Sequence, residues 1–204
     1  MFVKLCGMTQ RQDIELARDL GADAVGFIFA SSPRQVTPEQ VCELTQDLDG
    51  VLKVGVFVNE DLQRLKEIRE QCALDIVQLH GDESPTYCEQ LGGRIFKAFR
   101  VKDAETIQRF SDYPSDITLL LDAYVKGIAG GTGKQINRSV LDQIDDFSRI
   151  ILAGGIGARQ LPEVFRTYRP WGVDVNSSIE TRPGIKDFQK MHELFDVIHA
   201  EMNQ

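Results

Sequence analysis

The chain has 204 residues and a formal net charge of −8, with 42% hydrophobic and 26% charged residues. That length favours one domain and suffices for a sizeable core. The negative excess disfavours nonspecific nucleic-acid binding, which depends on neutralising phosphates, and no apolar run approaches the ~20 residues a membrane helix needs. The opening MFVKLCGMT lacks the long apolar core and small-residue cleavage site of a secretory signal. Four cysteines, at 6, 42, 72 and 88, have no CxxC spacing and suggest neither a metal site nor a disulfide framework. A reducing cytoplasm fits them best. Cys42, Cys72 and Cys88 read as small buried apolar side chains.

In chain order the pattern predicts strand 2–6, helix 11–20, strand 24–29, helix 38–48, strand 53–58, helix 61–72, strand 76–80 and helix 85–91. It continues with strand 95–99, helix 104–110, strand 117–122, helix 139–145, strand 150–153, helix 158–168, strand 172–175 and helix 186–202. The strands are short runs rich in Val, Ile and Phe, as expected when both faces are covered. Leu62, Leu65, Ile68 and Cys72 recur every three or four positions and give one apolar helical stripe. Thr37-Pro38-Glu39-Gln40 has the form of a capped helix start, and Asn59-Glu60-Asp61 supplies a cap and early acidic residues to the next helix. Eight strand–helix units imply a parallel sheet. Closed on itself it is a minimal (β/α)₈ TIM barrel; an open doubly wound sheet would show the same alternation.

Two strand candidates end on reactive groups: 2–6 ends at Cys6 and 117–122 ends at Asp122. A barrel gathers its strand tips at one mouth, so a thiol and a carboxyl there could act as base and acid on one substrate. Lys4 shares a strand face with Cys6 and could favour the thiolate. Asp122 follows a run of leucines, and burial there would raise its pKa as a general acid requires. Each also has a structural reading, a packed cysteine and a paired or capping carboxylate. Arg34, in the loop after the second strand, could grip a carboxylate with its planar fork, or be merely solvated. His80 ends the fourth strand beside Gln78, and could be either structural or part of a site.

Two loops, one rich in glycine and one in small hydroxyl and amide residues, suggest a phosphate site. Gly154-Gly155 follows the seventh strand, and Asn176-Ser177-Ser178 follows the eighth, where a helix start would offer free N–H groups to an anion. Barrels often build phosphate sites from these two loops, and this favours the closed sheet over the open one. A third cluster, Gly127 to Lys134, includes Gly130-Gly131 but lacks the Ser or Thr of a P-loop, since Gln135 follows Lys134. It reads as a mobile loop near Asp122, or a plain surface loop.

The chain resembles the phosphoribosylanthranilate isomerase family of tryptophan biosynthesis. The resemblance rests on Lys4-Leu5-Cys6-Gly7-Met8-Thr9, Ser32-Pro33-Arg34, Val77-Gln78-Leu79-His80-Gly81, Leu119-Leu120-Leu121-Asp122, Gly130-Gly131-Thr132-Gly133, Leu152-Ala153-Gly154-Gly155 and Val173-Asp174-Val175-Asn176-Ser177-Ser178, in the family's order. It implies an Amadori rearrangement of N-(5-phosphoribosyl)anthranilate without metal or organic cofactor. Asp122 would be the acid and Cys6 the base. Arg34 would contact the anthranilate carboxylate and Asp174 a sugar hydroxyl. Gly155, Ser177 and Ser178 would hold the phosphate, and His80, Gly131, Gly154 and Asn176 complete the expected binding set. The expected partner is a small phosphosugar–anthranilate substrate, with no nucleic acid or membrane, and the protein a cytoplasmic monomer or weak homodimer. Two departures stand out. Ile136-Asn137-Arg138 replaces the family's aromatic and Asp-Trp, and Ser178 stands where Gly is common, so its hydroxyl is expected to be able to donate to the phosphate. The alternatives are another aminosugar-phosphate isomerase on the same scaffold and a noncatalytic phosphosugar-binding domain.

Overall fold

A computed structural model describes residues 1–101, 103–122 and 138–202. Eight strands close into a barrel: β1 (Phe2–Leu5), β2 (Ala24–Ile28), β3 (Leu52–Phe57), β4 (Ile76–Leu79), β5 (Ile95–Arg100), β6 (Thr118–Asp122), β7 (Ile150–Ala153) and β8 (Gly172–Val175). Each pairs in parallel with its sequence neighbours, and β1 closes the ring on β8. The open-sheet alternative is thereby removed. The surrounding helices are α1 (Arg11–Asp19), α2 (Pro38–Leu44), α3 (Leu62–Gln71), α4 (Pro85–Leu91), α5 (Ala104–Gln108), α6 (Arg138–Leu141), α7 (Leu161–Tyr168) and α8 (Phe188–Met202).

Local chemistry sets the boundaries. Thr37 caps α2 through a full capping box with Gln40, and Asp61 caps α3 by accepting from the Arg64 N–H. α2 stops at Leu44, short of the expected 48: the Thr45 hydroxyl bonds back to the Val41 carbonyl, and Asp47 turns left-handed at φ 56°. α6 ends at Leu141 instead of 145, and α5 gives way to a 3₁₀ turn at Arg109–Asp112. Residue 186 does not start the last helix. Ile185–Lys186 (β10) pairs antiparallel with Glu180–Arg182 (β9), a small hairpin the sequence pattern did not suggest. Cys72 and Cys88 are buried as expected, but Cys42 is only half-buried, its Sγ lying 3.3 Å from the Gln71 carbonyl.

Side chains alternate along a strand, so every second residue faces the lumen. Phe2, Ala24, Val54, Ile76, Phe96, Leu120 and Ile151 form one apolar cluster there. At its N-terminal end Phe2 stacks on Trp171 with centroids 4.6 Å apart, and Phe96 meets Phe2 edge-on at 5.8 Å. A larger cluster lies between strands and helices, including Leu5, Ile14, Phe27, Leu65, Leu79, Leu121 and Leu194. The same period of two carries the lumen face of β1 from Phe2 to Lys4 to Cys6, that of β4 from Ile76 to Gln78 to His80, and that of β8 from Gly172 to Asp174 to Asn176. Apolar packing at one end thus gives way to ionisable groups at the C-terminal mouth.

Candidate active site

A cavity of about 390 Å³ opens at that mouth. Cys6, Arg34, His80, Asp122, Asp174 and Asn176 line it. Gly154, Gly155, Ser177 and Ser178 complete its wall. All the singled-out residues except Gly131 therefore meet at one site. Gly131, with the rest of the glycine cluster and Ile136-Asn137, lies outside the described residues, as does the side chain of Arg138.

Cys6 sits just past β1, held by its N–H donating to the Val175 carbonyl at 2.8 Å. It is 4% exposed. Beneath it Lys4 is fully buried and its Nζ lies 2.8 Å from Asp174 Oδ1, its register partner on β8. Burial alone would depress the Lys4 pKa, but the Asp174 carboxylate and the neighbouring Cys6 outweigh it and hold the ammonium above its ordinary range. Lys4 does supply positive charge that favours the thiolate, as expected, but it is not the dominant influence. Burial is the larger influence on the thiol and pushes its pKa up, with the Lys4 charge opposing only in part. Gly26 on β2 explains how a thiol and an ammonium fit side by side. A Cβ there would lie 2.8 Å from Cys6 Sγ and 3.1 and 3.2 Å from Lys4 Cε and Nζ. Sequence reasoning gave this glycine no role of its own, since a strand pattern does not show what its missing side chain makes room for.

Asp122 ends β6, yet its side chain is 41% exposed. The expected partial desolvation is modest, because Leu119 and Leu121 face outward to the helices and the carboxyl lines the cavity at the mouth. Its Oδ2 lies 3.7 Å from His80 Nε2. The Gln78 amide approaches His80 Nδ1 at 3.0 Å, so the ring is held from behind. A second buried pair supports this loop. Lys97 Nζ reaches Glu83 Oε2 and the Gly81 carbonyl, both at 2.7 Å, while Glu83 Oε1 accepts from the Asn59 N–H at 2.8 Å.

Arg34 is not free. Its Nε and one Nη bond the two oxygens of Glu180 at 2.8 and 2.6 Å. Glu180 also accepts from Lys186 Nζ and from the Gly184 N–H, each at 3.1 Å. Lys186 Nζ further donates to the Cys6 carbonyl at 2.6 Å and to Asn176 Oδ1 at 3.1 Å. Hydrogen bonding to Glu180 raises the Arg34 pKa. Burial works against the Glu180 carboxylate, but Arg34 and Lys186 overcome it and hold its pKa below the usual range. Glu180 and Lys186 were missed because they sit on the unforeseen hairpin. Gly7 (φ +73°) makes room here: a Cβ on it would lie 2.7 Å from Arg34 Cδ and 2.8 Å from Asn176 Oδ1.

Gly154 and Gly155 have φ of +90° and +70°, and around a Cβ at Gly155 there would be open space. The chain after β8 makes a 3₁₀ turn at Ser177–Ile179 in place of the expected helix start. Ser178 is spoken for: its hydroxyl donates to the Ile156 carbonyl, which ties the two loops together. Gly157 accommodates it, since a Cβ there would lie 2.9 Å from Ser178 Cβ. Among the described residues no group of three or more His, Cys, Asp or Glu is placed to hold a metal ion, and no helix is long and apolar enough to cross a membrane.

The family described as N-(5'-phosphoribosyl)anthranilate (PRA) isomerase matches residues 3–197. The N-(5'-phosphoribosyl)anthranilate isomerase of Pelobacter propionicus is 41% identical over 197 residues, covering 96% of this chain and 94% of that protein. The phosphoribosyl anthranilate isomerase of Thermus thermophilus has a crystal structure similar to this one, with a TM-score of 0.84 at 33% identity, over 98% of this chain and 99% of that one. Another, solved in complex with reduced 1-(o-carboxyphenylamino)-1-deoxyribulose 5-phosphate, gives 0.83 at 28% identity, again over 98% and 99%. With likeness of this degree running from end to end, the chain belongs to the N-(5'-phosphoribosyl)anthranilate isomerase family of tryptophan biosynthesis.

Proposed function

We propose that the chain carries out its family's isomerisation by proton transfers between the substrate, Asp122 and Cys6. The single observation that carries this reading is that a carboxyl and a thiol from strands far apart in sequence line one cavity with Arg34 and the loops after β7 and β8. Asp122 protonates the ribose ring oxygen. The C1–O bond breaks, and the anthranilate nitrogen shares its electron pair to leave an iminium at C1. Cys6, as thiolate, takes the proton from C2, giving an enol-amine; this becomes the ketose as C1 takes a proton and the C2 hydroxyl gives one up, which returns the acid and the base to their starting states. Every step moves a proton, so neither metal nor organic cofactor is required.

The arrangement supports a role for each neighbour. Lys4 takes Asp174 Oδ1, and Asp174 Oδ2 accepts from a sugar hydroxyl. Arg34 binds the anthranilate carboxylate. The N–H groups of Gly154, Gly155, Ser177 and Ser178 hold the phosphate, with Asn176 and His80 beside it and the sugar. The Ser178 hydroxyl, committed to Ile156, does not bond the phosphate. Gly131 we assign to the substrate from the family's motif alone. The substrate is a small molecule, and the protein works as a monomer or weak homodimer in the cytoplasm; an isomerase of this name from Thermotoga maritima is described as dimeric.

The test follows the loss of phosphoribosylanthranilate fluorescence with purified protein. The wild type consumes the substrate, and Cys6→Ala and Asp122→Asn each lower turnover by ~10²–10⁴-fold while the melting temperature holds. Near-normal turnover by Cys6→Ala would remove the thiol from the mechanism.

A further inference from the structure

We infer that Glu180 is a positioning residue for substrate recognition: it grips one edge of Arg34 so that the other edge faces the cavity as a preformed carboxylate receptor. The inference rests on the reading of Arg34 as the carboxylate anchor and adds what aims it. A guanidinium has five N–H groups in a rigid fork and can serve two carboxylates on two edges. Here Nε and one Nη are taken by Glu180 at 2.8 and 2.6 Å. That leaves the end-on edge, Nη1 with the second N–H of Nη2.

The burial pattern says which carboxylate is resident. Glu180 has a side chain only 4% exposed and does not line the cavity, whereas Arg34 is 18% exposed and does. Glu180 therefore stands behind Arg34. It is also fixed from other sides, by Lys186 Nζ and the Gly184 N–H at 3.1 Å each. An arriving carboxylate meets an oriented fork and has no need to displace Glu180. Lys186 extends the device, since the same ammonium holds the Cys6 carbonyl and Asn176. The aim of the receptor is thus registered against the strand tips that carry the base and the phosphate loop. An arginine held in this way gives up less rotamer freedom on binding, which is affinity gained by preorganisation.

The test uses four variants of the full chain: Glu180→Gln, Glu180→Asp, Arg34→Ala, and Arg34→Ala with Glu180→Asp. Aspartate keeps the charge beside Lys186 but is one methylene too short for both fork bonds, so it decides the matter if Glu180→Gln fails to fold. The expected result is that Glu180→Asp raises KM for phosphoribosylanthranilate about tenfold with kcat within about threefold. Added to Arg34→Ala it raises KM no further, the nonadditivity of residues acting as a unit. Inhibition by ribose 5-phosphate, which has the phosphate and sugar but no carboxylate, stays as in the wild type. Two outcomes overturn the inference: an unchanged KM in a folded Glu180 variant, or equal weakening of ribose 5-phosphate, which a merely structural role would give. If Arg34→Ala itself leaves KM unchanged, the anchor reading fails instead.

Discussion

Gly26→Ala puts a methyl group against the thiol. The new Cβ would stand 2.8 Å from Cys6 Sγ. Heavy atoms in comfortable contact are ~3.5–4.0 Å apart, so the thiol has to retreat by roughly 0.7–1.2 Å. Lys4 is no escape route, because its Cε and Nζ are themselves 3.1 and 3.2 Å from the methyl and its ammonium is fixed on Asp174. Overpacking of this kind costs ~1–3 kcal/mol, and alanine recovers ~0.5–1 kcal/mol of glycine's penalty in a strand. The net cost is then roughly 0–2.5 kcal/mol, a fall in melting temperature of at most about 10 °C for a chain of this size. Catalysis is more sensitive: a displacement of ~1 Å can cost on the order of 10²-fold. We expect Gly26→Ala to fold, to melt slightly lower, and to lose on the order of 10²-fold in kcat by the fluorescence assay. If kcat stays within threefold of wild type in a folded variant, either the base is not Cys6 or its placement is looser than the geometry says.

Two further outcomes follow from the buried ionisable groups. Glu83 and Lys97 have side chains each 1% exposed, and removing one partner of such a pair costs ~3–5 kcal/mol. Glu83→Gln should lower the melting temperature by roughly 6–20 °C, and replacing both partners by apolar residues should recover much of it; a loss of only a degree or two would show that Lys97 finds another partner. The Cys6 thiol has its pKa raised, chiefly by burial, so less thiolate exists at neutral pH than in an ordinary cysteine, and the fraction rises as pH rises. The ascending limb of kcat/KM, which reports the free enzyme, should centre above the ~8.5 of an unperturbed thiol. A limb centred below it would assign the base to another group.

The barrel was legible because its signals are local and repeated. Eight runs such as Ile117 to Leu121 must be strands buried on both faces, and their alternation with helices leaves few topologies. Strand tips were legible too, since the first residue past an apolar run stands at the mouth. The supports of those tips were not. Gly26 is one small residue in a strand, and only the lumen's crowding explains it. Glu180 and Lys186 lie six residues apart on strands of two and three residues, too short to show a period. The degree of burial was harder to read: the leucines before Asp122 pack outward and leave its carboxyl only partly covered, while Lys4, placed on the Cys6 face by the strand period, is wholly buried. Ser178 is instructive in another way. Its departure from glycine is matched by the missing side chain at Gly157 on the adjoining loop, a relation visible only in three dimensions.

The rings of Phe2, Phe96 and Trp171 have a kinetic consequence. Among the described residues they close the N-terminal end of the lumen, and the cavity lies at the opposite, C-terminal mouth. Substrate and product therefore share that mouth, so a product still seated on the described lining keeps the next substrate out by simple occupancy.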